Sequence, residues 1–347
     1  MPLIDYDQLN TAYLRDSFYS LQLEVGDKCY QGCIYCYMNA LTETVNVLSD
    51  EMIQAILNDA HDLGIAAIEW LGGEPLLRKN IFELMHQAAD LGFRNNMWTG
   101  GLPFANLEIV EKTADLCKFG LISVHLSTLD AHLYEIMHPN RTSKDIDIIL
   151  KGIDHLIGIG YPSEQILNSV TFTGLQPAED LIKTMEFFDE KFGIQTSLNV
   201  FHTYLRPGVH QSELEKFIPA RSEVAKVYNR YKEFLNVDQL PMNCVNKQYC
   251  SATVAVLNTG YVTPCATIRE EVENCNLQQH SFKFILNSER NAINLKEFKE
   301  KSHLPEDCQK CGLNDECWGC RSRAFAAEKG IYGKDPRCFR GPRRSNP

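Results

Sequence analysis

The sequence predicts an α/β fold, a partial (β/α)6 barrel followed by a small cysteine-rich C-terminal domain, on three observations. Short apolar runs alternate with amphipathic stretches through roughly the first 200 residues, the pattern of right-handed βαβ units around a parallel sheet. The alternation occurs six times, too few to close an eight-stranded barrel. From Cys244 onward the chain is dense in cysteine and has no long helical period.

The predicted strands are Phe18–Val25, Ala66–Leu71, Asn95–Trp98, Gly120–Leu126, Gln165–Phe172 and Gln195–Phe201. Helical patterns fall between them at Asp50–Leu63, Ile81–Leu91, Leu107–Cys117, Ile146–Ile157 and Pro177–Lys191. Helical periodicity continues over Gln211–Leu235. Beyond it, Ser251–Leu257, the turn Asn258-Thr259-Gly260 and Tyr261–Pro264 read as a β-hairpin. The expected organisation is an N-terminal extension (1–17), the barrel (18–210), a linking helix and connection (211–243) and the cysteine-rich domain (244–347).

With 44% apolar residues in 347, the chain can bury a large core. Its net charge of −11 disfavours a nucleic-acid or anionic-membrane surface. The stretch from Arg321 to Pro347 is locally basic, which reads as a solvated face. No run of 18 apolar residues occurs, and the N-terminus lacks a basic stretch followed by an apolar one. The expectation is a cytoplasmic protein with no membrane partner and no cleaved signal. In such a compartment 13 cysteines at short spacings mean metal ligands or redox chemistry rather than a disulfide framework.

Cys29, Cys33 and Cys36 follow directly on the first strand with the spacing C-x3-C-x2-C. Three thiolates from one loop leave one corner of a four-iron cluster open to another ligand. A zinc site would want a fourth protein ligand, and none lies nearby before His61. This motif, with Tyr35 before its last cysteine, resembles the signature of the radical S-adenosylmethionine (AdoMet) superfamily. The resemblance implies that AdoMet chelates the open iron and is cleaved reductively to a 5′-deoxyadenosyl radical, with a low-potential donor such as flavodoxin or ferredoxin supplying the electron. Gly72, Gly73, Glu74 and Pro75 match that family's GGEP, and Thr99 opens a T-G-G where relatives have T-N-G. Ser127 and Arg141 match its S-L-D…R segment. By resemblance these residues, with Tyr35, hold AdoMet.

Downstream run Cys250-x9-Gly260-x4-Cys265, then Cys308-x2-Cys311-x5-Cys317-x2-Cys320, then Cys338. The pattern resembles the SPASM domain, although many members place three residues rather than two between the third and fourth cysteines of the central run. Carrying over the family's crossed pairing gives one auxiliary set of Cys244, Cys250, Cys265 and Cys320, and a second of Cys308, Cys311, Cys317 and Cys338. Three [4Fe–4S] clusters in all are implied. A zinc ribbon from the central run alone would leave Cys244, Cys250, Cys265 and Cys338 idle. Cys117, on the apolar side of a predicted helix, reads as an inert buried thiol, while Cys275, in a polar loop, reads as incidental or as a reactive thiol near substrate.

If protein fills both auxiliary sets, their expected role is electron transfer rather than substrate coordination. That points to oxidative modification of a peptide by crosslinking, dehydrogenation or backbone rearrangement. The alternative is radical modification of a small molecule, sugar or cofactor precursor. A non-catalytic electron-transfer module is the third reading, against which the AdoMet motifs argue. Because the first strand begins near residue 18, recognition of a leader peptide is expected to fall to a separate protein or to the C-terminal domain. His202, Tyr204 and Arg206 follow the sixth strand at the barrel mouth and are candidates to touch substrate, and Glu69, Trp98 and His125 are candidates to point inward from strands.

Overall fold

The computed structural model describes residues 4–38, 40, 46–202, 211–242, 245–289, 293–328 and 330–340. Six strands, β1 (Ser20–Glu24), β2 (Ala67–Leu71), β3 (Arg94–Thr99), β4 (Leu121–His125), β5 (Ile166–Phe172) and β6 (Gln195–Val200), lie side by side in sequence order, every pair parallel. Between them run α2 (Asp50–Asp62), α3 (Ile81–Asp90), α4 (Leu107–Leu116), α5 (Ala131–Met137), α6 (Lys144–Gly158) and α7 (Ala178–Phe192), after an N-terminal α1 (Tyr6–Leu14). The fold is the expected partial (β/α)6 barrel, and strand and helix ends fall within about two residues of the sequence reading.

Alternation decides which face is core. Leu21 and Leu23 of β1, Ile68 and Trp70 of β2 and Ile122 and Val124 of β4 are buried in one apolar cluster with Ile53, Ile56 and Leu57 of α2 and Leu84 and Met85 of α3. The opposite face is more polar, with Gln22, Glu69, Asn96, Ser169 and Asn199 lining a cavity. Helix starts are fixed locally, as where Ser49 Oγ accepts from Met52 N (3.2 Å) to cap α2.

The helical period from Gln211 to Leu235 resolves into α8 (Gln211–Glu215) and α9 (Arg221–Phe234). Pro219, between them, has no amide to donate and biases Ile218 away from helical backbone. The short α10 (Lys247–Ser251) leads into the hairpin, β7 (Thr253–Val256) and β8 (Val262–Thr263), whose turn carries Gly260 at φ +85°. β7 also pairs in parallel with β1, Leu21 opposite Val254 and Leu23 opposite Val256. The sheet therefore runs β6-β5-β4-β3-β2-β1-β7-β8, and the hairpin extends the barrel's own sheet. Further helices among the described residues include α11 (Phe282–Ser288), α12 (Glu306–Gln309) and α13 (Arg321–Glu328). None of the helices is long and apolar enough to cross a membrane among the described residues.

Candidate functional site

The loop after β1 is seated on the turn after β2. Val25 N donates to Leu71 O (2.8 Å), Gly73 N to Gly26 O (3.1 Å) and Glu74 N to Lys28 O (2.6 Å). The approach is close enough that a Cβ on Gly73 would lie 2.2 Å from the Lys28 carbonyl oxygen, and Gly72 has φ +137°. Only glycine permits this pairing. Gly73→Ala is therefore expected to push the cysteine loop off its seat and to cut reductive AdoMet cleavage by about 100-fold. Release of 5′-deoxyadenosine under anaerobic reduction measures it, and wild-type rates would remove the loop-seating argument.

On that seat Cys29, Cys33 and Cys36 face the cavity beside Gly72, Gly73, Thr99 and Gly100. The three thiols act on one another electrostatically. Burial, helped by the Glu74 carboxylate, pushes Cys29 up to about 12, and burial pushes Cys33 well above its ordinary value. Iron binding must displace those protons, so the loop suits a metal that bonds thiolate strongly. Glu74 is itself buried, and Oε2 accepts from Thr99 Oγ1 and Gly100 N (both 2.8 Å) while Oε1 accepts from Leu76 N (3.2 Å). Burial raises its carboxyl to about 7 against those three hydrogen bonds. Pro75 follows at the start of a short 3-10 turn.

Gly100 stands where the T-N-G pattern has asparagine. A Cβ on Gly100 would meet Gln31 Oε1 at 2.7 Å, because Gln31 of the cysteine loop reaches across to donate from Nε2 to His125 O (3.0 Å). Tyr35 is buried with its hydroxyl 2.9 Å from His125 Nε2. Ser127 Oγ accepts from Thr171 N (3.0 Å), linking the segment after β4 to β5. Arg141 is held by Asp145, with Nη2 to Oδ1 at 2.7 Å, and its charge reaches Cys29. Asp145 is a positioning residue that the motif reading omitted, although its i,i+4 spacing from Arg141 was a signal for it. His138 was also missed: with Cys33 and His125 it brings potential ligand atoms within 4.8 Å of one another. Burial lowers both histidines to about 4 and keeps them neutral.

Across the cavity stand Cys250, Cys265 and Cys320; Cys244 lies outside the described residues. Cys308, Cys311, Cys317 and Cys338 enclose a second, smaller space of about 30 Å³. Burial pushes Cys308 up to about 11, with Cys338, Cys317 and Cys311 adding to the rise. Cys317 Sγ accepts from Met242 N (3.1 Å) and Gly319 N (3.3 Å), the N–H···S contacts that stabilise thiolate ligands of iron–sulfur clusters. The described cysteines of the C-terminal domain thus fall into two groups, Cys250, Cys265 and Cys320 on the main cavity and Cys308, Cys311, Cys317 and Cys338 around the smaller space. Zinc confined to the central run would not account for Cys338 in the second group, nor for Cys320 in the first.

The main cavity, of about 320 Å³, spans from the first cysteine loop to Cys250, Cys265 and Cys320. Glu69, Trp98 and His125 all line it. His202 lines it too, with Nε2 3.2 Å from Cys320 Sγ; Tyr204 and Arg206 lie outside the described residues. Cys117 is buried as expected, and burial raises its thiol far above the ordinary range. Cys275 is also buried in the apolar core, beside neither cysteine set nor the cavity. The reactive-thiol reading of it fails because Phe282 and Ile285 of α11 belong to the same core.

Residues 23–188 match the family described as the Radical SAM superfamily, and residues 244–312 match SPASM, an iron-sulfur cluster-binding domain. A probable GTP 3′,8-cyclase of Methanothermobacter thermautotrophicus is 26% identical over 61% of this chain and 68% of its own length. One of Pyrococcus abyssi is 25% identical over 73% and 86%. Among solved structures, Streptococcus suis SuiB aligns over 96% of this chain and 80% of its own with a TM-score of 0.65 and 16% identity. The structure of anSMEcpe with bound AdoMet and Cp18Cys peptide aligns over 91% and 92%, also with a TM-score of 0.65 and 16% identity. The cysteine loop seated on its GGEP turn, the cysteine sets across the cavity and the two family matches agree: the chain is an iron–sulfur enzyme of the radical SAM superfamily with a C-terminal SPASM domain.

Proposed function

We propose that this enzyme oxidatively modifies a peptide, abstracting a hydrogen atom from it after reductive cleavage of AdoMet. When bound, AdoMet and its reduced cluster supply the abstracting radical. Cys29, Cys33 and Cys36 would hold that cluster, and the backbone of Gly72 and Gly73, Thr99, Ser127 and Arg141 would orient AdoMet. The chain's further contribution is a shared space, because one cavity joins the first cysteine loop to Cys250, Cys265 and Cys320. A substrate radical formed there lies beside an acceptor for its electron. The second set, Cys308, Cys311, Cys317 and Cys338, would then pass the electron onward.

The observation that carries the peptide reading is the charge of the cavity wall. Among its described residues the carboxylate, guanidinium and ammonium side chains are limited to Glu69 and Arg321, with no lysine. A nucleoside triphosphate calls for clustered cations, whereas a peptide segment calls for scattered polar groups such as Asn96, Ser169, Thr171 and Asn199. SuiB bound to precursor peptide SuiA and anSMEcpe with its Cp18Cys peptide share this fold. The relatives named as GTP 3′,8-cyclases favour a second reading, chemistry on a small molecule. Calorimetry with AdoMet-loaded enzyme separates the two. No saturable GTP binding is expected, and a peptide encoded beside the gene should lose hydrogen in an anaerobic assay read by mass spectrometry. Tight GTP binding with GTP-dependent release of 5′-deoxyadenosine overturns the peptide reading. The anaerobically purified chain should carry about 12 irons, and about four would remove both auxiliary clusters.

A further inference from the structure

Arg321 is among the most deeply buried large side chains in the protein, 2% exposed, and it borders the main cavity beside Cys320. Its Nη1 donates to Ile331 O (2.7 Å) and Gly333 O (2.8 Å), while Nε and Nη2 are buried with no protein acceptor. A buried guanidinium needs an anion. Asp335, the carboxylate whose charge it feels most, is already committed: it takes Arg323 Nε and Nη2 at 3.0 and 2.8 Å and the amides of Cys320 and Arg337, both at 2.9 Å. The other groups acting on the Arg321 charge are the thiols of Cys308, Cys320 and Cys317. Those thiols belong to both sets, Cys320 to the first and Cys308 and Cys317 to the second.

We propose that Arg321 is the shared counter-cation of the two auxiliary clusters, its Nε and Nη2 donating to their sulfurs and its charge raising their reduction potentials. The inference rests on the reading that both cysteine sets hold clusters. Each added electron makes a thiolate-ligated cluster more negative, so a fixed buried cation favours the reduced state. Arg321 thereby makes both sites better acceptors for an electron leaving the substrate.

Redox titration of the anaerobically reconstituted enzyme, followed by electron paramagnetic resonance, tests this. In Arg321→Met the oxidised-to-reduced ratio of at least one auxiliary cluster at fixed solution potential should rise tenfold or more, a fall of about 59 mV for a one-electron couple. The AdoMet cluster should not move. Arg321→Gln is the second neutral variant should the first fold poorly, and Arg321→Lys, which keeps the charge, should recover most of the shift. Either neutral variant at full iron content with both auxiliary potentials unmoved overturns the proposal, as does a lysine variant that behaves like the neutral ones. A wild-type enzyme lacking the auxiliary irons would instead defeat the cluster reading on which it rests.

Discussion

Replacing Cys29, Cys33 and Cys36 together by alanine is expected to abolish reductive formation of 5′-deoxyadenosine and to lower the iron content by about four per chain. On the proposed assignment of the cluster to this loop the loss should be complete, because Cys29, Cys33 and Cys36 are the cysteines that line the cavity beside Gly72, Gly73 and Thr99. Folding should survive. The three side chains are only partly buried at the rim of the barrel, outside the large apolar cluster between sheet and helices. Removing thiols whose ionisation burial opposes leaves no charge stranded. The proposed auxiliary clusters should remain, because neither of their cysteine groups includes a residue of this loop. Their paramagnetic signals, iron analysis and the nucleoside product are the readouts. Product formed at the wild-type rate would show that AdoMet is cleaved elsewhere in the chain.

The barrel was legible because its signals are local. Leu21, Leu23, Ile68 and Trp70 alternate with polar neighbours, and α2 and α3 carry apolar residues at helical spacing, so each element announces its type without reference to the rest. The first cysteine loop was legible for the same reason. What the sequence hid depends on contacts far apart in the chain. The parallel pairing of β7 with β1 joins Val254 to Leu21 across more than 200 residues, and nothing in the hairpin's own pattern names its outer neighbour. Cys275 has polar neighbours in sequence, yet the core it enters is built from α11 and the sheet. His202 was placed at the barrel mouth by its position after the sixth strand, but its contact with Cys320 comes from a domain 118 residues later. Arg321 and Arg323 read as part of a solvated basic tail because charge runs usually are. In the structure both are buried, and each meets a chemical demand set by the fold around it.

Arg323 is where that demand has the largest expected effect on stability. It is buried with Asp335, and Nε and Nη2 reach both carboxylate oxygens. The same guanidinium donates to Met242 O (2.6 Å) and to Val200 O (3.3 Å) at the end of β6. Asp335 in turn accepts from the amides of Cys320 and Arg337 (both 2.9 Å). One ion pair thus ties the barrel's last strand, the chain entering the SPASM domain and the backbone beside ligands of both auxiliary sets. Burial alone would raise the Asp335 carboxyl, but Arg323 and the two amides outweigh it and hold the group below the usual carboxylate range. The sign follows: this stabilisation is present at neutral pH and is lost as pH falls through the depressed value. Arg323→Met leaves Asp335 buried and uncompensated, at a cost of about 3–5 kcal/mol. The auxiliary irons should be lost first, with the AdoMet cluster retained, because Met242, whose carbonyl is released, borders the smaller cysteine space, and Asp335, which loses its partner, holds the amides of Cys320 and of Arg337 beside Cys338. Adding Asp335→Leu removes the stranded charge and should restore a large part of the stability, giving a coupling energy well above that of independent sites. Thermal unfolding of the two single variants and the double variant measures the coupling. Single variants within about 1 kcal/mol of wild type, the range of an exposed ion pair, would mean that the two domains are held together by the clusters and the β7–β1 pairing rather than by this charge.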